Sequence, residues 1–272
     1  MVIKGALTFP GDKSISHRAL MFAALADGES RISNLSTGAD VQSTRECLEA
    51  CGIEIKDDGN DVVVKGEQFS DPTKPLDCGN SGTTTRLLLG LLAGQGINAT
   101  LVGDDSLSSR PMNRILDPLS QMGLISESND GKLPITIHKS DMTGIHYESP
   151  VASAQIKSAV FLAALGASGK TSFKEPILSR DHTEKMLHGL GANISIDGLT
   201  ATISNLTSPL SNFEISVPGD PSTAAFFAAS AALVPNSEIV LNRVLANPLR
   251  TGLFAALERM GAGMECLDQW DE

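Results

Sequence analysis

Four times in this chain an apolar helical pattern closes on a glycine and passes toward a hairpin. The four closures are Leu48-Glu49-Ala50-Cys51-Gly52, Leu119-Ser120-Gln121-Met122-Gly123, Leu187-His188-Gly189-Leu190-Gly191 and Leu257-Glu258-Arg259-Met260-Gly261. Their glycines stand 71, 68 and 70 residues apart. Internal periodicity on this scale dictates architecture, because one supersecondary unit must stack on its neighbours to bury its apolar face. After Gly52, Gly123 and Gly191 come two short β-like runs around a polar turn, as in Ile53 to Lys56 and Val62 to Lys65 across Asp57-Asp58-Gly59-Asn60-Asp61. After Gly261 the chain reaches Trp270-Asp271-Glu272 without a second run, so the pattern predicts a fourth copy cut short and an incomplete chain.

Each copy begins with a turn running directly into a helix. The four starts are Gly11-Asp12-Lys13-Ser14-Ile15-Ser16, Gly79-Asn80-Ser81-Gly82-Thr83-Thr84, Ala152-Ser153-Ala154-Gln155 and Gly219-Asp220-Pro221-Ser222-Thr223. A β-like run follows each helix: Ser30 to Leu35, Asn98 to Val102, Lys170 to Phe173 and Glu238 to Leu241. A second helix then ends at the repeat glycine, and a hairpin closes the copy. The order reads as an α/β fold built from βαβαββ units, three of them complete between about residues 11 and 217. Stretches such as Leu87-Leu88-Leu89-Gly90-Leu91-Leu92 and Ala159 to Leu165 are apolar on most sides, which places such helices inside a domain. The three units are expected to pack these helices around a shared centre, with the hairpins forming outer sheets.

Charge narrows the function. A net charge of −11 opposes nonspecific nucleic-acid binding. The longest apolar stretch, Ala224 to Val234, is too short to span a bilayer and reads as a buried helix. The N-terminal residues alternate like a strand and lack the long apolar region of a signal peptide, which points to a cytoplasmic protein. Cys47, Cys51, Cys78 and Cys266 fit no zinc spacing and read as core thiols rather than metal ligands. Any anionic ligand must be held by locally placed cations against this background, so the few arginines and lysines carry information.

Helix N-termini attract anions through their unpaired N–H groups. Lys13-Ser14 precede Arg18 by about one turn, Gly82-Thr83 precede Arg86, and Ser153-Ala154-Gln155 precede Lys157. Arg110 and Arg180 occupy loops in Ser108-Ser109-Arg110-Pro111-Met112 and Ser179-Arg180-Asp181-His182. Singly, each turn reads as caps, turn glycines and surface charge. Three such turns at equivalent repeat positions, each with a cation, favour a site for a multiply anionic small molecule. Neither the Walker spacing nor Gly-x-Gly-x-x-Gly is present, so a nucleotide fingerprint is excluded. His17, with no evident partner, reads as structural; His182 reads equally as a cap or surface residue or as an acid–base group. The clusters Asp57 to Asp61 and Asp268 to Glu272 read as solvated turns rather than calcium loops.

The ordered motifs Gly11 to Arg18, Gly79 to Thr83, Ser109 to Met112, Ser153 to Ser158, Ser179 to Glu184 and Pro218 to Ser222 resemble those of the bacterial 5-enolpyruvylshikimate-3-phosphate (EPSP) synthase family over the whole chain. The resemblance implies the enolpyruvyl transferase fold, an inside-out α/β barrel pair of two domains with three βαβαββ units each. It implies crossings between domains at Pro10-Gly11 and Pro218-Gly219: a complete three-unit domain over residues 11–217, and a truncated second domain of residues 1–10 and 218–272. The implied activity transfers the enolpyruvyl group of phosphoenolpyruvate to the 5-hydroxyl of shikimate 3-phosphate and releases phosphate. The implied partners are those two small molecules, with no nucleic acid, no membrane, no cofactor and a monomeric full-length form.

By motif match, Lys13, Ser14 and Arg18 would hold shikimate 3-phosphate, Lys13 also reaching phosphoenolpyruvate and serving as the one catalytic candidate within the chain. Gly82, Thr83 and Arg110 would take phosphoenolpyruvate. Ser153 and Gln155 would contact shikimate 3-phosphate, Gln155 both substrates, and Arg180 the shikimate end. Ala154 departs from relatives that carry a second serine there, which removes one phosphate hydrogen bond. The family's proton-transfer carboxylates fall beyond residue 272, so the chain alone is expected to be inactive. Two alternatives differ in kind. UDP-N-acetylglucosamine enolpyruvyl transferase would show Lys-Asn after the first glycine turn and a loop cysteine near Arg-Pro; Lys13-Ser14 and Ser108-Ser109-Arg110-Pro111 show neither. A non-catalytic fragment would bind shikimate 3-phosphate and turn nothing over.

Overall fold

The structure is a computed structural model and describes residues 2–270. Strand β1 (Lys4–Leu7) leads into α1 (Lys13–Ala24), β2 (Ala26–Ser33), α2 (Ala39–Ala50) and the hairpin of β3 (Glu54–Asp58) and β4 (Asp61–Gly66). Strand β5 (Leu76–Asp77) opens a second unit of α3 (Gly82–Gly94), β6 (Ala99–Val102), the short α4 (Asp105–Ser108), α5 (Asn113–Gln121), β7 (Ile125–Asn129) and β8 (Lys132–His138). A third runs from β9 (His146–Glu148) through α6 (Ala154–Ala164), β10 (Lys170–Lys174), α7 (His182–Gly189), β11 (Ile194–Asp197) and β12 (Thr200–Ser204). The chain continues as β13 (Leu210–Ser211), β14 (Glu214–Ser216), α8 (Pro221–Leu233), β15 (Glu238–Leu241) and α9 (Gly252–Arg259).

The repeat glycine is a helix stop set by backbone geometry. Gly52, Gly123, Gly191 and Gly261 all have left-handed φ, from 83° to 107°. A side chain there would strain against its own carbonyl, whereas glycine adopts the conformation freely. In each copy the next residue donates its N–H to a carbonyl five residues back: Ile53 to Leu48 at 3.1 Å, Leu124 to Leu119 at 2.9 Å, Ala192 to Leu187 at 2.9 Å and Ala262 to Leu257 at 3.0 Å. The glycine N–H meanwhile reaches three residues back. This pair of bonds satisfies orphan carbonyls and turns the chain outward into the strand that follows.

At the other end, a short polar side chain caps the first helix of each copy. Asp12, Ser81 and Ser153 each accept from the backbone N–H three residues on, and Asp220 accepts from Ser222. The first helix of each complete unit is enclosed on nearly all sides, and the outcome is a buried trio. Eleven of twelve residues in α1, ten of thirteen in α3 and ten of eleven in α6 are buried. Helix α3 packs along α6 so closely that a Cβ on Gly90 would overlap the Ala159 carbonyl oxygen. Each fully buried leucine of Leu87, Leu88, Leu89, Leu91 and Leu92 contributes about 1.5–3 kcal/mol relative to exposure.

Three sheets wrap this trio, and all follow one plan. A lead strand pairs parallel with the strand after the first helix, and the hairpin adds antiparallel: β5-β6-β8-β7, β9-β10-β12-β11, and β13 and β14 beside β2, then β4 and β3. Inward residues alternate with outward ones, as in Leu133, Ile135 and Ile137 of β8. The expected central helices and outer hairpin sheets are therefore present. Strand β2 begins at Ala26, not Ser30, because Gly28 pairs with Gly66 and Ala26 with Leu210; the turn-like Ala-Asp-Gly is drawn into the ladder by its partners.

The lead strand of the first sheet comes from the far end of the third unit. Strand β14 pairs with β2, while β1 pairs with β15. The chain crosses itself once between these pairings: Asp12 N–H donates to Pro218 O at 2.7 Å, Asp220 N–H to Pro10 O at 3.1 Å, and Gly11 bridges Gly219. Among the described residues no helix is long and apolar enough to cross a membrane.

Candidate functional site

Hydrogen bonds tie the N-terminal ends of α1, α3 and α6 into one ring. His17 of α1 meets Thr44 Oγ1 at 2.7 Å, and Thr44 meets Thr84 Oγ1 of α3 at 2.7 Å. Gln155 of α6 donates to Thr83 Oγ1 at 3.0 Å and accepts from Arg86 Nη1 at 3.0 Å, bridging α6 to α3. Arg18 of α1 donates to Ser158 Oγ of α6 at 2.6 Å and to Thr183 Oγ1 of α7 at 2.7 Å, closing the circle. Three helix N-termini, each with partial positive charge, thus share one end of the molecule.

Two arginine clusters occupy that end. In the first, Arg18 is 3% exposed and its partners are two hydroxyls and the Ser14 carbonyl, 2.8 Å away. Arg180 Nη1 donates to Ser14 Oγ at 2.8 Å. Neither has a carboxylate partner among the described residues. Burial, and after it the charge of Arg180, lowers the Arg18 pKa to about 10. A buried guanidinium with only neutral partners is costly unless an anion completes its surroundings. Arg250 joins this cluster but is balanced, lying 3.1 Å from Asp12 and 3.4 Å from Asp220.

In the second cluster, Arg110 donates to Asn80 Oδ1 at 2.7 Å and to Ser106 Oγ at 3.1 Å, and Arg86 to Gln155. Again no carboxylate pairs with either among the described residues. Burial and then the neighbouring Arg110 hold the Arg86 pKa below its ordinary value. Both guanidiniums approach Gly82: a Cβ there would lie 2.5 Å from Arg86 Nη1 and 3.6 Å from Arg110 Nη1. Glycine at the first turn of α3 is what leaves room between them.

Lys13 is half-exposed, with its ammonium on Asp40 Oδ2 at 2.8 Å and its backbone N–H on Asp220 Oδ2 at 3.2 Å. Ser153 caps α6, its hydroxyl accepting from Ile156 N–H. Lys157 corrects the reading of a third turn with its own cation. It is 2% exposed and points inward, 2.7 Å from Glu175 and 2.5 Å from Glu184. Its position one turn into an apolar helix gave the wrong impression because both acids come from later segments. His182 is likewise no surface residue, being 4% exposed at the start of α7. Sequence reasoning left out Arg250, Ser158 and Thr183. Ser158 and Thr183 lie inside quoted motifs and could have been found there; Arg250 has no repeat counterpart to mark it.

Burial chiefly, then Arg18, lowers the pKa of both His17 and His182 from 6.5 to about 3. Both are neutral in the folded chain and gain protons on unfolding below pH 6.5. Stability is therefore full above pH 6.5 and falls as pH drops toward 3, by about 1.4 kcal/mol per pH unit per histidine. Asp12 and Glu184, raised by burial, work in the opposite direction. Between pH 6.5 and 5, urea titration of His17→Gln is expected to show a pH slope about one proton shallower than the native chain. An unchanged slope would contradict the neutral, buried assignment.

A sequence profile of EPSP synthase (3-phosphoshikimate 1-carboxyvinyltransferase) matches residues 2–272. The chain belongs to the EPSP synthase family. It is 48% identical over 265 residues to the 3-phosphoshikimate 1-carboxyvinyltransferase of Bacillus cytotoxicus, covering 96% of this chain and 62% of the relative. The Geobacillus thermodenitrificans protein of the same name is 49% identical over 265 residues, covering 96% and 61%. A solved structure of EPSP synthase from Acinetobacter baumannii superposes with a TM-score of 0.88 at 39% identity, covering 96% of this chain and 60% of the other. The chain spans about three fifths of the length of the curated relatives it matches. The architecture is the α/β fold of the enolpyruvyl transferases, as the motifs implied.

Proposed function

We propose that the paired arginine clusters bind the substrates of EPSP synthase: shikimate 3-phosphate at Ser14, Arg18 and Arg180, with Ser153 and Gln155, and phosphoenolpyruvate at Gly82, Thr83 and Arg110, with Lys13 and Gln155 touching both. The observation that carries this reading is Arg18, fully buried without a carboxylate partner among the described residues and backed by a second unpaired guanidinium 2.8 Å from Ser14 Oγ. Arg86 belongs with the second cluster on the same ground.

The activity follows from what such a site does. Phosphate and carboxylate groups on two substrates repel one another, and fixed guanidiniums with helix N-termini offset that repulsion before reaction. The substrate hydroxyl loses a proton as its oxygen attacks the enolpyruvyl carbon and the methylene carbon of phosphoenolpyruvate gains one; the resulting methyl group then gives up a proton as phosphate leaves, which restores the carbon–carbon double bond of the transferred group. Lys13 adjoins Ser14 of the first cluster, with its ammonium on Asp40, and is the proposed proton-handling group within this chain. Residues 11–217 form one domain in this reading, and residues 1–10 with 218–272 belong to the other. The single chain crossing, the pairing of β1 with β15 and the pairing of β14 with β2 support that division. A cytoplasmic monomer is part of the same proposal.

Calorimetry on this chain tests the ligand. Shikimate 3-phosphate is expected to bind at least about tenfold more tightly than shikimate, since charge-assisted hydrogen bonds to the extra phosphate contribute about 1.5–3 kcal/mol. Equal affinities would remove the assignment.

A further inference from the structure

Ser14 holds a position that the substrate reading leaves unexplained. Its hydroxyl oxygen accepts from two guanidiniums, Arg180 Nη1 at 2.8 Å and Arg250 Nη1 at 3.3 Å. A serine hydroxyl has two lone pairs and one hydrogen. With both lone pairs taken, only the O–H remains, and it has no acceptor among the described residues. We infer that Arg250 is a positioning residue: together with Arg180 it fixes the Ser14 hydroxyl as a donor aimed at an oxyanion of the ligand. The inference rests on the anion-site reading above and adds to it a residue from outside the 11–217 segment.

The geometry around Arg250 fits this role better than direct ligation. Its two terminal nitrogens meet four partners. Nη1 faces Asp12 Oδ2 at 3.1 Å as well as Ser14, and Nη2 donates to Asp220 Oδ1 at 3.4 Å and Ser222 Oγ at 3.1 Å. The Asp12 contact is an ion contact rather than a directed hydrogen bond, since Oδ2 has no well-aligned donor. Two carboxylates balance the charge of Arg250, in contrast to Arg18 and Arg180. Its side chain is 11% exposed, leaving little of it for a ligand.

The two aspartates also hold Arg250 in register. Asp12 caps α1 through Ile15 N–H at 2.9 Å. Asp220 caps α8 through Ser222 N–H at 2.7 Å and also accepts from Lys13 N–H of α1. Arg250 therefore sits on the caps of two helices that meet at the chain crossing. The turn carrying it is pinned separately, by Asn247 Nδ2 donating to Asp181 Oδ1 at 2.6 Å. Asp181 follows Arg180, so this contact links the two segments that carry the arginines holding Ser14.

A double-mutant cycle decides the matter, read by calorimetry with shikimate 3-phosphate, shikimate and inorganic phosphate as probes. Arg250→Gln is expected to weaken binding about tenfold, the worth of one hydrogen bond to a charged group. In a Ser14→Ala background the same replacement should cost less than about twofold, because coupled residues are non-additive. Arg250→Lys keeps the charge on a single nitrogen that cannot fork to Ser14, so it should lose as much as Arg250→Gln; it also serves where the glutamine variant fails to fold. Loss with shikimate places the carboxylate against Ser14, and loss with inorganic phosphate alone places the phosphate there. A full tenfold loss persisting in the Ser14→Ala background, or native affinity in Arg250→Lys, overturns the inference. If the native chain binds phosphate without preferring shikimate 3-phosphate to shikimate, the substrate reading fails while the cycle still tests Arg250. Binding of none of the probes sinks both.

Discussion

Replacing Lys157 by methionine is expected to cost about 3–5 kcal/mol of folding stability, more than any substitution among the exposed charges. The reason is the company Lys157 keeps. Glu175 and Glu184 are 3% exposed each, and both lie within hydrogen-bond distance of its ammonium. Methionine fills similar volume but leaves two carboxylates in the core with no cation. Burial already raises the Glu184 pKa, Lys157 opposing it, and one Glu184 oxygen has no hydrogen-bond partner. The sign of the pH dependence follows. A carboxyl whose folded pKa is raised binds protons more tightly when folded, so the variant should recover stability as pH falls through that range. Urea midpoints for Lys157→Met at pH 8 and pH 5 should thus lie closer to the native chain at pH 5. A midpoint matching the native protein at pH 8 would mean that the triad is solvated. The same triad supports the arginine site indirectly, because Glu175 accepts from Ser179 N–H at 3.1 Å and Ser179 Oγ at 2.6 Å, immediately before Arg180.

Lys157 also marks where a sequence stops being legible. Helix starts and stops could be read because their causes are local. A cap meets an N–H three residues on, and the repeat glycine supplies left-handed φ within its own turn. The apolar runs of α1, α3 and α6 announced burial in the same way. Repetition extended this local information to the sheets, since three hairpins in one register imply three similar sheets. Partners set by tertiary structure were not available in that form. Nothing near Lys157 signals Glu175 or Glu184, and nothing near Arg250 signals Ser14, 236 positions away. Strand β2 was read too short for the same reason, its first residues being ordered by β13 and β4. The family motifs named residues from distant segments that the fold brings together, such as Ser14 with Arg180 and Thr83 with Gln155, because motifs report long-range arrangements that local periodicity does not encode. They gave no sign of Arg250, which no quoted motif contains.

Hydrogen exchange on the ligand-free chain is expected to separate residues 11–217 from residues 218–270, with amides of α3 and α6 protected at least about a hundredfold more than those of α8 and α9. The sequence of α8 is as apolar as that of α3 or α6, yet its burial is different. Only Pro221, Ala224 and Ala228 of its thirteen residues are buried, and none of α9. Phe226 is 76% exposed and Leu233 82%. The contacts that hold this segment include the two-stranded pair of β1 with β15, the backbone bonds at the crossing, Phe227 against Phe9 at 5.5 Å, Arg243 on Ser216 Oγ at 3.0 Å, Leu245 against the core, and those of Asn247 and Arg250. Most helical stability in proteins comes from tertiary packing of an apolar face, and α8 has little of it. Local opening of residues 221–259 should therefore cost far less than opening the trio of central helices. Shikimate 3-phosphate should raise protection around Arg250 and the α8 cap if Ser14 is coupled to them as inferred. Equal protection on both sides of Val217 without ligand would mean that α8 and α9 are held by contacts absent from this structure, and the proposed division at the crossing would lose its energetic support.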